Sequence, residues 1–253
     1  PTFKELEWVV EGLIPRGYLT LLAGRPKDGK TCLATALGVA VAQGLPFAGM
    51  KTQASKVLYF YAEESPQEWY AAFKGHLPEC VESFGMAFVA IAVDSDFYLQ
   101  ALRAAVIAQK VGLIVVDPLL GAIMNGDFGN CARARKILFG LKTICRETGV
   151  AIVVVHHARE RRGKASRVAE NPQLAATASL NVVLNWRPHP RGRLVSLDVT
   201  GRGQFANRKL RLLSDGPCSF HPYNPWDADP QLNSPRGEKR NGGRDRLGGK
   251  SPN

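Results

Sequence analysis

The chain is short of several things, and each shortage excludes something. No apolar run reaches the roughly 18 residues that a membrane-crossing helix requires. The opening stretch, PTFKELEWVV, carries charge where a secretory signal would have an apolar core. It also lacks an initial Met, which reads as a trimmed or partial chain with an N-terminal extension missing. Cysteine is sparse: five residues, Cys32, Cys80, Cys131, Cys145 and Cys218, odd in number and without CxxC spacing. That argues against a disulfide framework or a zinc site and for a reducing cytoplasm, with the thiols serving as small buried hydrophobes. There is no internal repeat and no guanine-reading NKxD pattern. Acidic residues are outnumbered, 22 against 33 basic, for a net charge of +11.

What is present is a soluble, globular composition: 253 residues, 45% hydrophobic and 22% charged, enough for one large domain or two small ones with a substantial core. The basic excess is local. RERRGKASR (159–167) has five basic residues and one acidic, and the tail from Arg236 to Asn253 has six and two. Such patches suit a polyanionic partner such as nucleic acid, or serve only solubility.

Nearly continuous runs of Val, Ile, Leu, Phe and Tyr predict buried strands at 18–24, 56–63, 86–92, 113–118 and 151–157. Helical patterns fall between them at about 30–43, 66–76, 95–110 and 130–148. In the last, Ile137, Leu138, Leu141 and Ile144 form one apolar stripe. This alternation predicts an α/β fold with a mostly parallel central sheet flanked by helices. After Asn181 the pattern changes to NVVLNWR, RLVSLDVTGR and RKLRLLS, short strands parted by turns, which predict antiparallel hairpins extending the sheet at one edge. The division expected is one folded α/β domain over 1–214 and a Pro/Gly-rich basic tail over 215–253, largely disordered.

Between the first strand and the first helix stands Gly24-Arg25-Pro26-Lys27-Asp28-Gly29-Lys30-Thr31, followed by Cys32. It fits G-x-x-x-x-G-K-[ST] in the strand–loop–helix setting that gives the motif its meaning. The glycines let backbone N–H groups wrap a phosphate, and the helix N-terminus adds partial positive charge. Lys30 supplies charge for the β- and γ-phosphates, and Thr31 offers a hydroxyl to Mg²⁺. A nucleoside triphosphate is the expected ligand. Asp117 closes LIVVDP at the carboxyl edge of the sheet, where ligands bind, and there it can hold Mg²⁺ through water, or merely begin a turn before Pro118. Glu63 and Glu64 end the second strand. One can activate water beside the γ-phosphate, with Glu63 favoured, while the other caps the following helix. His156 and His157 end AIVVVHH; they can read the γ-phosphate and relay its state, or be structural, and no third ligand indicates a metal.

Taken together, WVVEGLIPRGYLTLLAGRPKDGKT, VLYFYAEESPQEW, GLIVVDPLLGAI, GVAIVVVHHARE and a late VTGRG resemble the RecA-like P-loop ATPases, and within them the RepA-type hexameric helicases of plasmids and mobile elements. The resemblance covers about residues 8–212. It implies a RecA-like fold, ATP and Mg²⁺ as ligands, and a homo-oligomer, a hexameric ring, with ATP at subunit interfaces. Glu63 takes the water-activating role and His157 the γ-phosphate sensor. An arginine supplied by the neighbouring subunit maps onto Arg202, with Arg208 and Arg211 as competitors. The single-stranded DNA contacts fall on loops 118–135 and 158–173, in which Phe128 is the one obvious stacking aromatic. Asn181 stands near the place where the family commonly has an acidic residue, and the accessory domains of a complete replicative helicase are not recognisable.

Four readings follow: a DNA-stimulated helicase or replication motor, cytoplasmic and with a replication or mobile-element protein as a further partner; an ATPase that organises or loads other DNA-acting factors; a small-molecule kinase; and a non-hydrolysing nucleotide switch. The first is the leading expectation.

Overall fold

In the computed structural model the described residues are 5–63, 65–75, 83–88, 92–123, 131–157, 172–201, 205 and 207–224. The chain begins with a small hairpin, β1 (Trp8–Val10) and β2 (Ile14–Pro15). The parallel α/β region follows in the order β3 (Leu19–Gly24), α1 (Lys30–Gln43), β4 (Lys56–Tyr61), α2 (Pro66–Phe73), β5 (Phe84–Ala87), α3 (Asp96–Gln109), β6 (Val111–Asp117), α4 (Cys131–Thr148) and β7 (Ala151–His157). A short helix α5 (Pro172–Thr177) leads into β8 (Leu180–His189), β9 (Gly192–Gly201), β10 (Arg208–Gly216) and β11 (Ser219–Pro222). The nine strands β3–β11 form one sheet in the order β11-β10-β9-β8-β3-β7-β6-β4-β5. From β8 to β5 the neighbours are parallel, and from β8 to β11 they are antiparallel. The expected fold class is thus the one observed, antiparallel extension included.

Strand alternation sends residues to two cores. Leu22, Val57, Tyr59, Leu113, Val115, Val153 and Val155 face α1 and α2, meeting Leu33, Leu37, Val41, Trp69 and Phe73. On the other face Leu19, Leu21, Ile114, Val116, Ile152 and Val154 meet α3 and α4 through Leu102, Val106, Ile137, Leu138, Leu141 and Ile144, the stripe legible in the sequence. Burial on both faces is why β6 and β7 read as unbroken apolar runs.

Three expectations shift. Helix α2 ends at Phe73; its start is set by Ser65, whose hydroxyl accepts from the Glu68 N–H while the Glu68 carboxylate accepts from the Ser65 N–H, a capping box with Pro66 behind it. Strand β5 runs Phe84–Ala87, two residues ahead of the expected start, because Phe84 pairs with Val57 and packs its ring against Tyr59; residues 89–91 of the expected strand lie outside the described residues. The sheet also continues past residue 214, where the sequence suggested a tail: β10 reaches Gly216 and β11 pairs back onto it. The chain divides into units after Tyr223. No described helix is long and apolar enough to cross a membrane.

Candidate nucleotide site at the carboxyl edge of the sheet

Parallel strands bring their carboxyl ends to one edge. β3 delivers the Gly24–Thr31 loop there, β6 delivers Asp117, β7 delivers His156 and His157, and β4 leads to Glu63. Register fixes the neighbours: Gly24 lies opposite His157, and Tyr61 opposite Asp117.

The loop holds its shape by hydrogen bonds of its own. The Asp28 carboxylate accepts from the Arg25 N–H at 2.7 Å, and the Arg25 carbonyl accepts from the Asp28 N–H at 3.2 Å. Lys30 donates from Nζ to the same carbonyl at 2.7 Å. Gly29 precedes α1 with φ at 92°, a left-handed conformation that a side chain would strain, and a Cβ there would meet only open space, so the glycine is required by backbone and not by crowding. No side chain caps α1, and its first turn holds no acidic residue. Its leading N–H groups are therefore left for something else, as an anion cradle requires.

Burial sets the electrostatics. The Lys30 side chain is almost fully enclosed, and that desolvation lowers its pKa against the opposing pull of Asp28, Asp117 and Glu63. Asp117 is 1% exposed; burial raises its carboxyl to about 6, opposed by hydrogen bonds from Tyr59 and Thr31. The Tyr59 hydroxyl donates to Asp117 Oδ2 at 2.8 Å, and its own pKa is pushed up by burial and by the carboxylate beside it. Tyr59 escaped the sequence reading. The available signal was its alternation with Val57 and Tyr61, which puts it on the α1 face, one pleat below the strand end.

The same pleat separates the two histidines. His157 shares the face of Val153 and Val155, hence that of Asp117; His156 shares the opposite face and is buried. His157 Nε2 lies 3.5 Å from Glu63 Oε1, with both side chains partly exposed. Glu63 thus sits just past its strand, bound to the sensor candidate and open to water. Capping of α2 falls to Ser65 and Glu68, which leaves Glu63 without that duty.

Lys30, Thr31, Asp117, Glu63 and His157 are therefore brought together. The Thr31 hydroxyl and the Asp117 carboxylate are hard oxygen donors in contact with one another, a pair that suits Mg²⁺ completed by phosphate oxygens and water. Among the described residues no three His, Cys, Asp or Glu side chains gather to hold a metal alone. Cys32, the next residue, is half-buried against the core that α1 covers, and hydrogen bonding from Cys218 lowers its pKa to about 7. Arg208 is engaged elsewhere: its guanidinium stacks on Trp8 at 5.4 Å, so close to Gly12 that a Cβ there would strike it. Arg211 stays exposed on β10. Arg202, Glu64, Phe128, and the loop residues 124–130 and 158–171 lie outside the described residues. Asn181 is tied to α5, donating from Nδ2 to the Ala175 carbonyl at 3.1 Å.

A family model described as an AAA domain matches residues 1–163, and the chain belongs to that AAA-domain family. Among solved structures, the KaiC-like protein PH0186 of the hyperthermophilic archaeon Pyrococcus horikoshii OT3 superposes with a TM-score of 0.58 at 19% identity, covering 88% of this chain and 96% of that one. No curated protein matches. Family and fold together make this a RecA-like P-loop ATPase.

Proposed function

We propose that the chain hydrolyses Mg-ATP as a subunit of an oligomeric, DNA-stimulated motor of the RepA-type helicase kind. The observation that carries the reading is the convergence of Lys30, Asp117, Glu63 and His157 on one sheet edge beside an uncapped helix start. When bound, Mg-ATP supplies a γ-phosphoryl group whose transfer to water needs little beyond positioning and charge compensation. Lys30 holds a buried positive charge at the phosphate loop. Thr31 and Asp117 would hold the metal, and the Tyr59 hydroxyl, donating to Asp117 Oδ2, restrains that carboxylate. Glu63 accepts the proton of the attacking water at a carboxylate oxygen, a contribution of roughly 10²–10⁴ in rate. His157, 3.5 Å from Glu63, registers the charge there and is followed in sequence by the basic segment 158–173. That direct continuity supports coupling of hydrolysis to the DNA-binding loops.

Ring assembly with ATP at subunit interfaces is part of this reading. Arg202 remains the candidate for the arginine acting in trans, worth roughly 10³–10⁵ in rate. Arg211 is the alternative better placed than Arg208, whose guanidinium is spent on Trp8. The net charge of +11 supports a polyanionic track. The test is ATP turnover with and without single-stranded DNA across a salt series, with Lys30→Ala as the blank. Stimulation that fades with salt is the expected outcome, and strand displacement is then measured. Turnover indifferent to DNA refutes the motor and favours an ATPase that organises protein partners.

A further inference from the structure

Helix α3 is apolar on two sides. Its inner face is spent on the core, where Leu102 and Val106 are buried and Leu99 packs against them. The charged residue in its body, Arg103, turns toward α4 and pairs with Glu147 at 2.6 Å. What stays outward at helical spacing is Phe97, Ala101, Ala104 and Ala108, with Ile107 alongside, all of them exposed. Phe97 is 73% exposed and Ile107 55%. A surface helix ordinarily turns polar residues to that side, and a helix that is apolar all round is ordinarily enclosed. Exposed apolar surface gathered on one element marks a contact site, whereas single scattered side chains do not.

We propose that the outer face of α3 docks on the same face of a second copy of this chain, the two helices antiparallel about a two-fold axis midway between Ala101 and Ala104. A two-fold contact requires a surface complementary to itself, and this one is so in size and in charge. About that axis Ala101 faces Ala104 of the second copy, so the backbones approach closely where the helices cross. Phe97 reaches Ala108 of the second copy beside its Ile107, a large side chain set over a small one. Asp96, in the first turn, comes next to Lys110, which ends the other helix with φ at 53°. The antiparallel setting also brings the positive end of each helix beside the negative end of the other. The helix has 14 residues and is about 21 Å long, so the pair buries less than the roughly 1,200 Å² at which stable complexes begin. Association through it is therefore reversible and concentration-dependent. The contact uses none of Lys30, Asp117, Glu63 and His157, and it goes beyond the ring with ATP at its interfaces.

The experiment is sedimentation velocity of the full chain without nucleotide, which keeps this contact apart from assembly across bound ATP. Conversion of monomer to dimer is expected between roughly 1 and 100 μM, the range of a contact this small. Phe97→Ser leaves the urea midpoint nearly unchanged and weakens the dimer about tenfold or more. Ala104→Glu, which sets a charge at the crossing, does the same and serves should the first variant aggregate. Asp96→Lys and Lys110→Asp each weaken the dimer several-fold at low salt, and the two combined restore it, because the start of one helix meets the end of the other. A chain that stays monomeric throughout overturns the proposal, as does a dimer indifferent to Phe97→Ser and Ala104→Glu. A combined charge reversal no tighter than the single ones overturns the antiparallel two-fold arrangement and the proposal with it. A monomer that instead floats with phosphatidylcholine vesicles, and no longer does so with Phe97→Ser, overturns it in favour of a lipid surface.

Discussion

Strands β3, β7 and β6 are covered on both faces, whereas from β8 to β10 one face is covered and the other presents polar and charged side chains around a few buried apolar ones. The covered face of the antiparallel region presents Val182, Leu184, Val195, Leu197, Val199 and Leu212 to the same core as α1. Its open face carries Asn185, Arg187, Leu194, Ser196, Lys209 and Arg211 around a recess of about 290 Å³. Lys209 pairs with Asp198 at 3.0 Å. Arg187 and Arg211 have no ion-pair partner among the described residues. Double coverage fixes strand ends against two layers of helices, and that is where side chains for chemistry must be held to fractions of an ångström. Single coverage leaves a surface free to carry charge.

The sharpest way to isolate the covered edge is Glu63→Gln. ATP turnover is expected to fall by about 10²–10⁴-fold while ATP binding persists; quench kinetics against equilibrium binding separates the two, and loss of both together would make Glu63 a structural residue. Next comes the packing itself. Leu113→Ala, fully enclosed between layers, is expected to cost about 2–5 kcal/mol by urea unfolding. Leu194→Ala, only 5% exposed but bordering the recess, is expected to cost about 2 kcal/mol, the lower end of the same range, because the space it leaves opens onto that recess. Equal costs would mean that Leu194 is enclosed as firmly as Leu113.

Asp117 tests what enclosure does to a charge. In metal-free buffer with a chelator, its folded pKa of about 6 lies above the ordinary 3.8. Below about pH 4 both states hold the proton and no penalty exists. Between 4 and 6 the folded chain binds more protons than the unfolded one, so stability falls as pH rises. Above 6 the penalty is complete, at roughly 3 kcal/mol. Asp117→Asn is therefore expected to stabilise the free protein by up to about 3 kcal/mol at pH 8 and by little at pH 4, while abolishing Mg-dependent turnover. A gain of equal size at both pH values would place the effect in packing. The smallest stability effect belongs to the open face. Arg187→Ala and Arg211→Ala are expected to move stability by less than about 0.5 kcal/mol. If DNA touches this face, each lowers the salt slope of single-stranded DNA binding by about one.

The covered half was the legible half. β3, α1, β6, β7 and α4 announce themselves by unbroken apolar runs or a single stripe, because two-sided burial writes itself into every residue. The phosphate loop was legible for another reason: its function demands particular residue types at fixed spacing. The β1–β2 hairpin, α5 and β11 are two to six residues long and leave no periodic trace. Tyr59 was missed because its importance depends on a cross-strand partner in β6. The separation of His156 from His157 follows from the pleat alone, but only once the strand is known to run to its last residue.

Helix α1 begins with no side chain to satisfy its first N–H groups, so its melting is a gauge of whatever occupies that place. A ligand bound only by the folded chain adds about 2.7 kcal/mol at a hundredfold excess over its dissociation constant. For a domain of this size that is a rise of several degrees. Pyrophosphate, ADP and ATP can thus be ranked by the temperature at which the protein gives way, before a single turnover is counted. Nucleotide that occupies the cradle in a cell would then act as a guard against unfolding, and its depletion would be felt as fragility as well as idleness.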